Sequence, residues 1–129
     1  MRQYVYISTA EHLDPGDVSA ILESCQRNNA ARNVTGLLLY NGRNFLQLLE
    51  GEGDDLHWIM RRITSDGRHH GISRLYDEPA AERACPDWLM KRIALGDPGE
   101  ARRARLEEEL PAGLDPLVRR IILNFALLN

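Results

Sequence analysis

The segment Val34-Thr35-Gly36-Leu37-Leu38-Leu39-Tyr40-Asn41-Gly42-Arg43-Asn44-Phe45-Leu46-Gln47-Leu48-Leu49-Glu50 decides the fold. Two apolar runs flank Asn41-Gly42, a residue pair that tolerates the positive φ angles of a tight turn. Val34 to Tyr40 therefore reads as one strand and Asn44 to Glu50 as its antiparallel partner. Alternation along the second strand puts Phe45, Gln47 and Leu49 on one face and Leu46 and Leu48 on the other. Gln47 thus sits among apolar neighbours on a strand expected to be central.

The flanks supply the remaining elements. Upstream, Tyr4 to Ser8 has strand alternation, and Asp14-Pro15-Gly16-Asp17 opens a helix with Asp14 as N-cap and Pro15 at its first position. Val18, Ile21, Leu22 and Cys25 recur at helical spacing, and Arg27-Asn28-Asn29 is read as that helix's end, where Asn is a common cap. Downstream, Gly51-Glu52-Gly53-Asp54 breaks the strand and starts a second helix carrying Leu56, Ile59, Met60 and Ile63. Asp66-Gly67 ends it, Ile72 to Tyr76 is a strand, Glu78 to Asp87 a long loop, and Trp88 to Leu95 a further strand. The order is strand, helix, hairpin, helix, strand, with one strand appended. An α+β ferredoxin-like sandwich accommodates it, a mixed sheet with both helices on one face.

The other sheet face needs a cover, and residues 97–129 offer one. Asp97-Pro98 and Asp115-Pro116 each look like a helix start, separated by Pro111 and Gly113. The final helix, with Leu117, Val118, Ile121, Ile122, Leu123, Phe125 and Leu127, is too apolar for one stripe on a solvated helix. It is expected to pack on the sheet, on a second subunit, or on both. The Glu107-Glu108-Glu109 run beside Arg102, Arg103 and Arg105 reads as a solvated face.

Composition narrows the function. A chain of 129 residues, 43% hydrophobic and 27% charged, is ordinary globular protein long enough to bury a core. The net charge of −3 provides no basic excess for nucleic acid. No apolar run reaches the roughly 20 residues that span a bilayer, and Met1-Arg2-Gln3-Tyr4-Val5 lacks the form of a secretory signal. Cys25 and Cys85 have no metal or redox spacing and suit a reducing cytoplasm. His69-His70 lacks metal-ligand spacing, His12 and His57 read as surface residues, and Gly51-Glu52-Gly53 lacks the Lys of a phosphate-binding loop.

Single residues decide little. A buried Gln47 needs partners for both ends of its amide, and on this strand alone a structural amide bonded to backbone is the simpler reading. Tyr6 is by default a core aromatic, functional only if its hydroxyl meets a polar partner.

Taken together, Tyr6-Ile7-Ser8, Gln26-Arg27-Asn28-Asn29, Val34-Thr35-Gly36, Leu37-Leu38-Leu39-Tyr40, Phe45-Leu46-Gln47, Leu49-Glu50-Gly51, Asp66-Gly67-Arg68-His69 and Trp88-Leu89-Met90 closely resemble the BLUF family (blue light using flavin). The resemblance runs from about residue 3 to residue 95 in separate segments that agree in order and spacing. It implies a ferredoxin-like domain over residues 1–96 with an isoalloxazine ring between the two helices, followed by the tail. It implies FAD as cofactor, with FMN as the alternative. By position, Tyr6 resembles the photoactive tyrosine and Gln47 the glutamine that bridges it to flavin N5 and O4. Asn29 matches the asparagine on the ring's polar edge and Asn28 a neighbouring contact. Arg62, Asp66 and His69 resemble residues near the far edge and the ribityl chain, while Ile21, Ile63 and Phe45 would wall the ring. Trp88 and Met90 match residues whose positions respond to light, and strand alternation is expected to put both on one face. No metal is implied.

The chemistry fits these residue types. A flavin's polar edge both donates and accepts, as an amide does. Gln47 can reverse its donor and acceptor ends by rotation or tautomerisation, and Tyr6 can give up an electron and a proton transiently. The resemblance implies a photoreceptor rather than an enzyme, with a small red shift as its signature. Two rivals remain. A flavin-dependent oxidoreductase would need a substrate pocket and a candidate acid, base or reactive thiol. A flavin-free module of the same fold, acting in protein interaction or as a small acyl-phosphate hydrolase, would need no flavin at all. The chain has no room for a fused cyclase or phosphodiesterase, so output is expected to pass to a separate downstream protein or through a homo-oligomer in the cytoplasm.

Overall fold

The computed structural model describes residues 1–96 and 99–128. Strand β1 is Arg2–Thr9, helix α1 Pro15–Arg32, β2 Thr35–Tyr40, β3 Asn44–Gly51, helix α2 Gly53–Thr64 and β4 His70–Pro79. A short β5, Lys91–Arg92, precedes helices α3, Glu100–Glu109, and α4, Pro116–Leu128. The sheet order is β4-β1-β3-β2-β5, antiparallel except for the parallel pair of β2 with β5. This is the ferredoxin-like arrangement, with β3 between β1 and β2 and therefore flanked on both sides.

Local signals explain the first half. Asp14 accepts from the Asp17 amide and Asp17 accepts from the Asp14 amide, a closed capping box with Pro15 next to it. The hairpin turn has Gly42 at φ 91°, a left-handed value that glycine adopts without steric cost. A Cβ at Gly36 would lie 1.9 Å from the Leu48 carbonyl oxygen, so only glycine lets β2 close onto β3 there. The first helix runs past the expected end at Asn29. It stops at Arg32, and Asn33 takes the left-handed cap conformation with φ 53°. Asn29 is thereby left inside the helix with its side chain buried.

Each sheet face has its own core. Tyr6, Leu38, Phe45 and Leu49 pack with Val18 and Ile21 of α1 and Leu56 and Ile59 of α2. On the opposite face Val5, Leu37, Leu39, Leu46 and Leu48 pack with Leu106 and Leu110 of α3, with Leu114, and with Val118, Ile122 and Phe125 of α4. The apolar excess of the last helix is thus taken up largely by the chain's own sheet, leaving Leu117 exposed. Asp115 caps α4 by accepting from the Leu117 amide at 2.8 Å. The helix start read at Asp97-Pro98, and with it the boundary between sensor and tail, lies outside the described residues.

The last third departs from the sequence pattern. Strand β4 extends through Glu78 and Pro79, which the pattern assigns to a loop, because it pairs with β1 as far as Arg2. The strand predicted from Trp88 to Leu95 shrinks to two residues. Residues 89 and 90 form a bend, so strict alternation fails and the expectation that Trp88 and Met90 share a face is wrong. Met90 is buried in the core on the α1–α2 side, whereas Trp88 packs partly buried against the tail-side core. The cause is hydrogen bonding from α1. Gln26 Nε2 donates to the Met90 carbonyl at 3.0 Å, and Asn29 Nδ2 to the Leu89 carbonyl at 2.5 Å. The bend is held at its other end by Glu50, a fully buried carboxylate that accepts from Gln3 Nε2 and from the amides of Ala84 and Cys85. Three donors offset the desolvation that would otherwise make such a burial prohibitive.

Candidate functional site

A cavity opens between α1 and α2 over the centre of the sheet. Its floor is Tyr6 of β1 with Phe45 and Gln47 of β3. Ile21, Ser24, Cys25, Asn28 and Asn29 line it from α1, and Ile59, Arg62 and Ile63 from α2, with Asp66 and His69 beyond. Helical spacing accounts for both walls, since positions 21, 25 and 29 on α1, like 59 and 63 on α2, fall one turn apart. The residues expected to hold a cofactor, namely Ile21, Asn28, Asn29, Phe45, Gln47, Arg62, Ile63, Asp66 and His69, are therefore gathered around one cavity. Trp88 and Met90 are not in its lining. Ser24, Cys25 and Ile59 complete it, and the same one-turn spacing marks the last two.

Gln47 is the pivot. Its Cα is opposite Tyr6 on β1 and opposite Leu38 on β2. Its Nε2 donates to Cys25 Sγ at 3.3 Å, while its Oε1 is buried without a hydrogen-bond partner among the described residues. An orphaned amide oxygen in a core costs about 1–3 kcal/mol, and such a group is retained where a ligand or a switch uses it. Burial pushes the Tyr6 hydroxyl well above the usual phenol range, and burial likewise raises the Cys25 thiol. Both therefore keep their protons at physiological pH.

The other polar residues divide by how committed they are. Asn29 uses one N–H on Leu89, which leaves the second N–H and the carbonyl oxygen of its amide. His69 is committed at both ring nitrogens, Nδ1 to Ser8 Oγ at 2.8 Å and Nε2 to the Ile63 carbonyl at 2.9 Å. Because a carbonyl only accepts, Nε2 donates to Ile63, while Nδ1 pairs with the Ser8 hydroxyl, which can serve either ring form. His69 thus presents a ring, edge-on to Phe45, rather than a free nitrogen. Asp66 is gripped by the Arg68 guanidinium, which holds its carboxyl below the usual range. Arg62 lies over the Trp58 ring at 4.5 Å, a stacked cation at the rim.

This surface is apolar on the faces and amide-rich at one end. An isoalloxazine ring, flat and apolar on its faces with donors and acceptors along one edge, fits it. The unpartnered Gln47 Oε1 and the spare valences of Asn29 supply what that edge needs. Among the described residues no cluster of His, Cys, Asp or Glu could hold a metal ion, and no helix is long and apolar enough to cross a membrane.

Fold and cavity together give a ferredoxin-like sandwich domain with a slot between its two helices whose lining suits a flat ring with a polar edge. The chain belongs to the BLUF family, sensors of blue light using FAD, whose model matches residues 1–91. It is 37% identical over 87 residues to the photoactivated adenylate cyclase subunit beta of Euglena longa, covering 66% of this chain and 10% of that protein. It is 38% identical over 66 residues to the blue light- and temperature-regulated antirepressor BluF of Escherichia coli K12, covering 51% of this chain and 16% of that one. The chain thus spans only a small part of these relatives. Among solved structures, the dark state of BlrB, a BLUF protein, superposes with a TM-score of 0.73 at 29% identity, covering 96% of both chains. A bacterial light-regulated adenylyl cyclase gives a TM-score of 0.74 at 30% identity, covering 96% of this chain and 34% of the other.

Proposed function

We propose that this domain is a blue-light switch in which Tyr6 and Gln47 hold two alternative hydrogen-bond arrangements around a bound flavin, FAD in the first instance. The observation that carries the reading is that Tyr6 and Gln47 stand opposite each other on β1 and β3 under the cavity, with the Gln47 Oε1 buried and without a hydrogen-bond partner among the described residues. When bound, the flavin supplies the absorption of blue light and an oxidant for a nearby phenol. Tyr6, kept protonated by burial, holds the proton and electron that can leave and return. Gln47 holds the memory, because reversing its amide exchanges a donor for an acceptor without moving the backbone. Asn28, Asn29, Arg62 and Asp66 bind and orient, and Ile21, Ile63 and Phe45 exclude water from the ring faces. Among the described residues, the other titratable groups lining the cavity are Cys25, whose thiol is raised by burial and accepts from Gln47, and His69, hydrogen-bonded at both ring nitrogens, which favours a sensor over an oxidoreductase. Absorption spectra in the dark and under blue light test the reading. Yellow protein with a reversible red shift is expected; colourless protein, or bleaching on addition of NADH, would overturn it.

Output is proposed to pass through the β2–β5 edge to the tail and from there to a separate protein or a second copy, in the cytoplasm. The Cα partner of Gln47 on β2 is Leu38, whose carbonyl accepts from the Ile93 amide at 3.0 Å, and Ile93 is packed in the tail-side core. Met90 on the cavity side and Trp88 on the tail side straddle that edge and are the residues proposed to respond. Exposed Leu75 and Leu117 line one groove and give a partner a small apolar contact. A single hydrogen bond contributes about 0.5–1.5 kcal/mol, so a several-fold shift of the tail's packing is expected rather than its release. Amide hydrogen exchange over residues 88–128 should rise several-fold under steady blue light. Equal protection in dark and light, with a normal red shift, would mean that the signal leaves elsewhere.

A further inference from the structure

Cys25 is one helical turn from both Ile21 and Asn29 and faces the same cavity. Its Sγ is the one protein atom that receives a hydrogen bond from the Gln47 amide among the described residues. The other end of that amide is buried and unpartnered. These two facts belong together. With Nε2 turned to the sulfur, the thiol acts as acceptor and Oε1 is left for another donor, of which the Tyr6 hydroxyl is the neighbour across the strand pair.

We infer that Cys25 is a positioning residue that partners both orientations of the Gln47 amide, as acceptor in one and as S–H donor in the other, and thereby sets the lifetime of the switched state. When the amide rotates, its oxygen arrives where Nε2 stood. An acceptor cannot be satisfied by another acceptor, so the thiol must reverse role and donate. A protonated thiol can do so by turning about its Cβ–Sγ bond, with no bond broken and no proton transferred. Burial keeps it protonated, since it raises the thiol above its ordinary range. A serine hydroxyl would perform both roles with stronger bonds, and a valine would perform neither. A hydrogen bond of ordinary net strength that must break on return corresponds to about twofold to tenfold in the return rate.

This inference rests on the flavin-switch reading, and the test separates the two. Light-minus-dark infrared difference spectra of the flavin-loaded protein are recorded in the S–H stretching region. The expected result is an S–H band that moves to lower frequency in the light, as a free thiol becomes a donor, and that vanishes in Cys25→Ser. Dark recovery should also be about twofold to tenfold slower in Cys25→Ser than in Cys25→Val. An unchanged S–H band beside a normal red shift overturns the inference and leaves the flavin switch standing. A band that persists in Cys25→Ser assigns it to Cys85 and also overturns it, as do equal recovery rates in the two variants. If the unsubstituted protein shows no red shift at all, the flavin-switch reading falls and this inference falls with it.

Discussion

Tyr6→Phe should keep its flavin and lose its reversible red shift completely. The substitution removes one oxygen from a side chain that is 1% exposed and leaves the ring, which fills the floor of the cavity, in place. The walls formed by Ile21, Ile63 and Phe45 and the amides of Asn28 and Asn29 are untouched, so cofactor content should stay near that of the unsubstituted protein. Stability should change by about 0.5–1.5 kcal/mol at most, the net worth of one hydrogen bond. The function has no such reserve. Tyr4 is the nearest other phenol, its ring centroid 6.5 Å from that of Tyr6, but its Cα partner is Leu49 rather than Gln47. An electron taken from Tyr4 would leave no altered bond at the Gln47 amide and should return without a long-lived product. Flavin content by absorbance and the light-minus-dark spectrum check this together. A normal red shift in Tyr6→Phe would remove the phenol from the mechanism.

How far such a site can be read from residues depends on what holds each part. The hairpin from Val34 to Glu50 follows from local rules, alternation and an Asn-Gly turn, and the structure keeps its faces as expected, with Phe45 and Leu49 in one core and Leu46 and Leu48 in the other. The cavity walls are nearly as legible, because one-turn spacing on two helices aims their residues at a common slot. The end of α1 is less so: Asn28 and Asn29 look like caps to a local rule, yet the helix continues to Arg32 and is capped by Asn33. Asn29 is instead spent on the Leu89 carbonyl, 60 residues away. That same long-range bond explains why the strand around Trp88 and Met90 failed, since an alternation rule has no knowledge of a side chain that pulls the backbone into a bend. Cys25 was visible as a member of an apolar stripe, but its bond to Gln47 depends on how closely α1 packs on β3. Glu50 illustrates the same limit. Its burial is tolerable only because donors from two distant segments, Gln3 on β1 and the successive amides of Ala84 and Cys85, converge on it.

Gln47→Leu should also bind flavin without converting, and here the folded state should gain. Gln47 is 3% exposed, between Leu38 and Tyr6 on adjacent strands, and its Oε1 is unpaired. Replacing it by an apolar side chain of similar size removes an unsatisfied buried carbonyl, which costs about 1–3 kcal/mol. The bond given up, from Nε2 to Cys25 Sγ at 3.3 Å, is to a weak sulfur acceptor and offsets only part of that gain. The flavin-free variant should therefore unfold at a higher denaturant midpoint than flavin-free unsubstituted protein, by up to about 3 kcal/mol of stability, with an unchanged slope. Function moves the other way. Tyr6 is still present and can still be oxidised, but leucine has no donor and acceptor to exchange, so the excited state should return with no shifted absorption left behind. A gain in stability with loss of the switch is what is expected where a strained polar group is kept for its function. Two measurements decide it, denaturant unfolding without flavin and the light-minus-dark spectrum with it. A long-lived red-shifted state in Gln47→Leu would show that the memory resides in another group. Loss of the shift together with lowered stability would show that the amide oxygen is satisfied in the fold, and that its lack of a partner is not what the switch exploits.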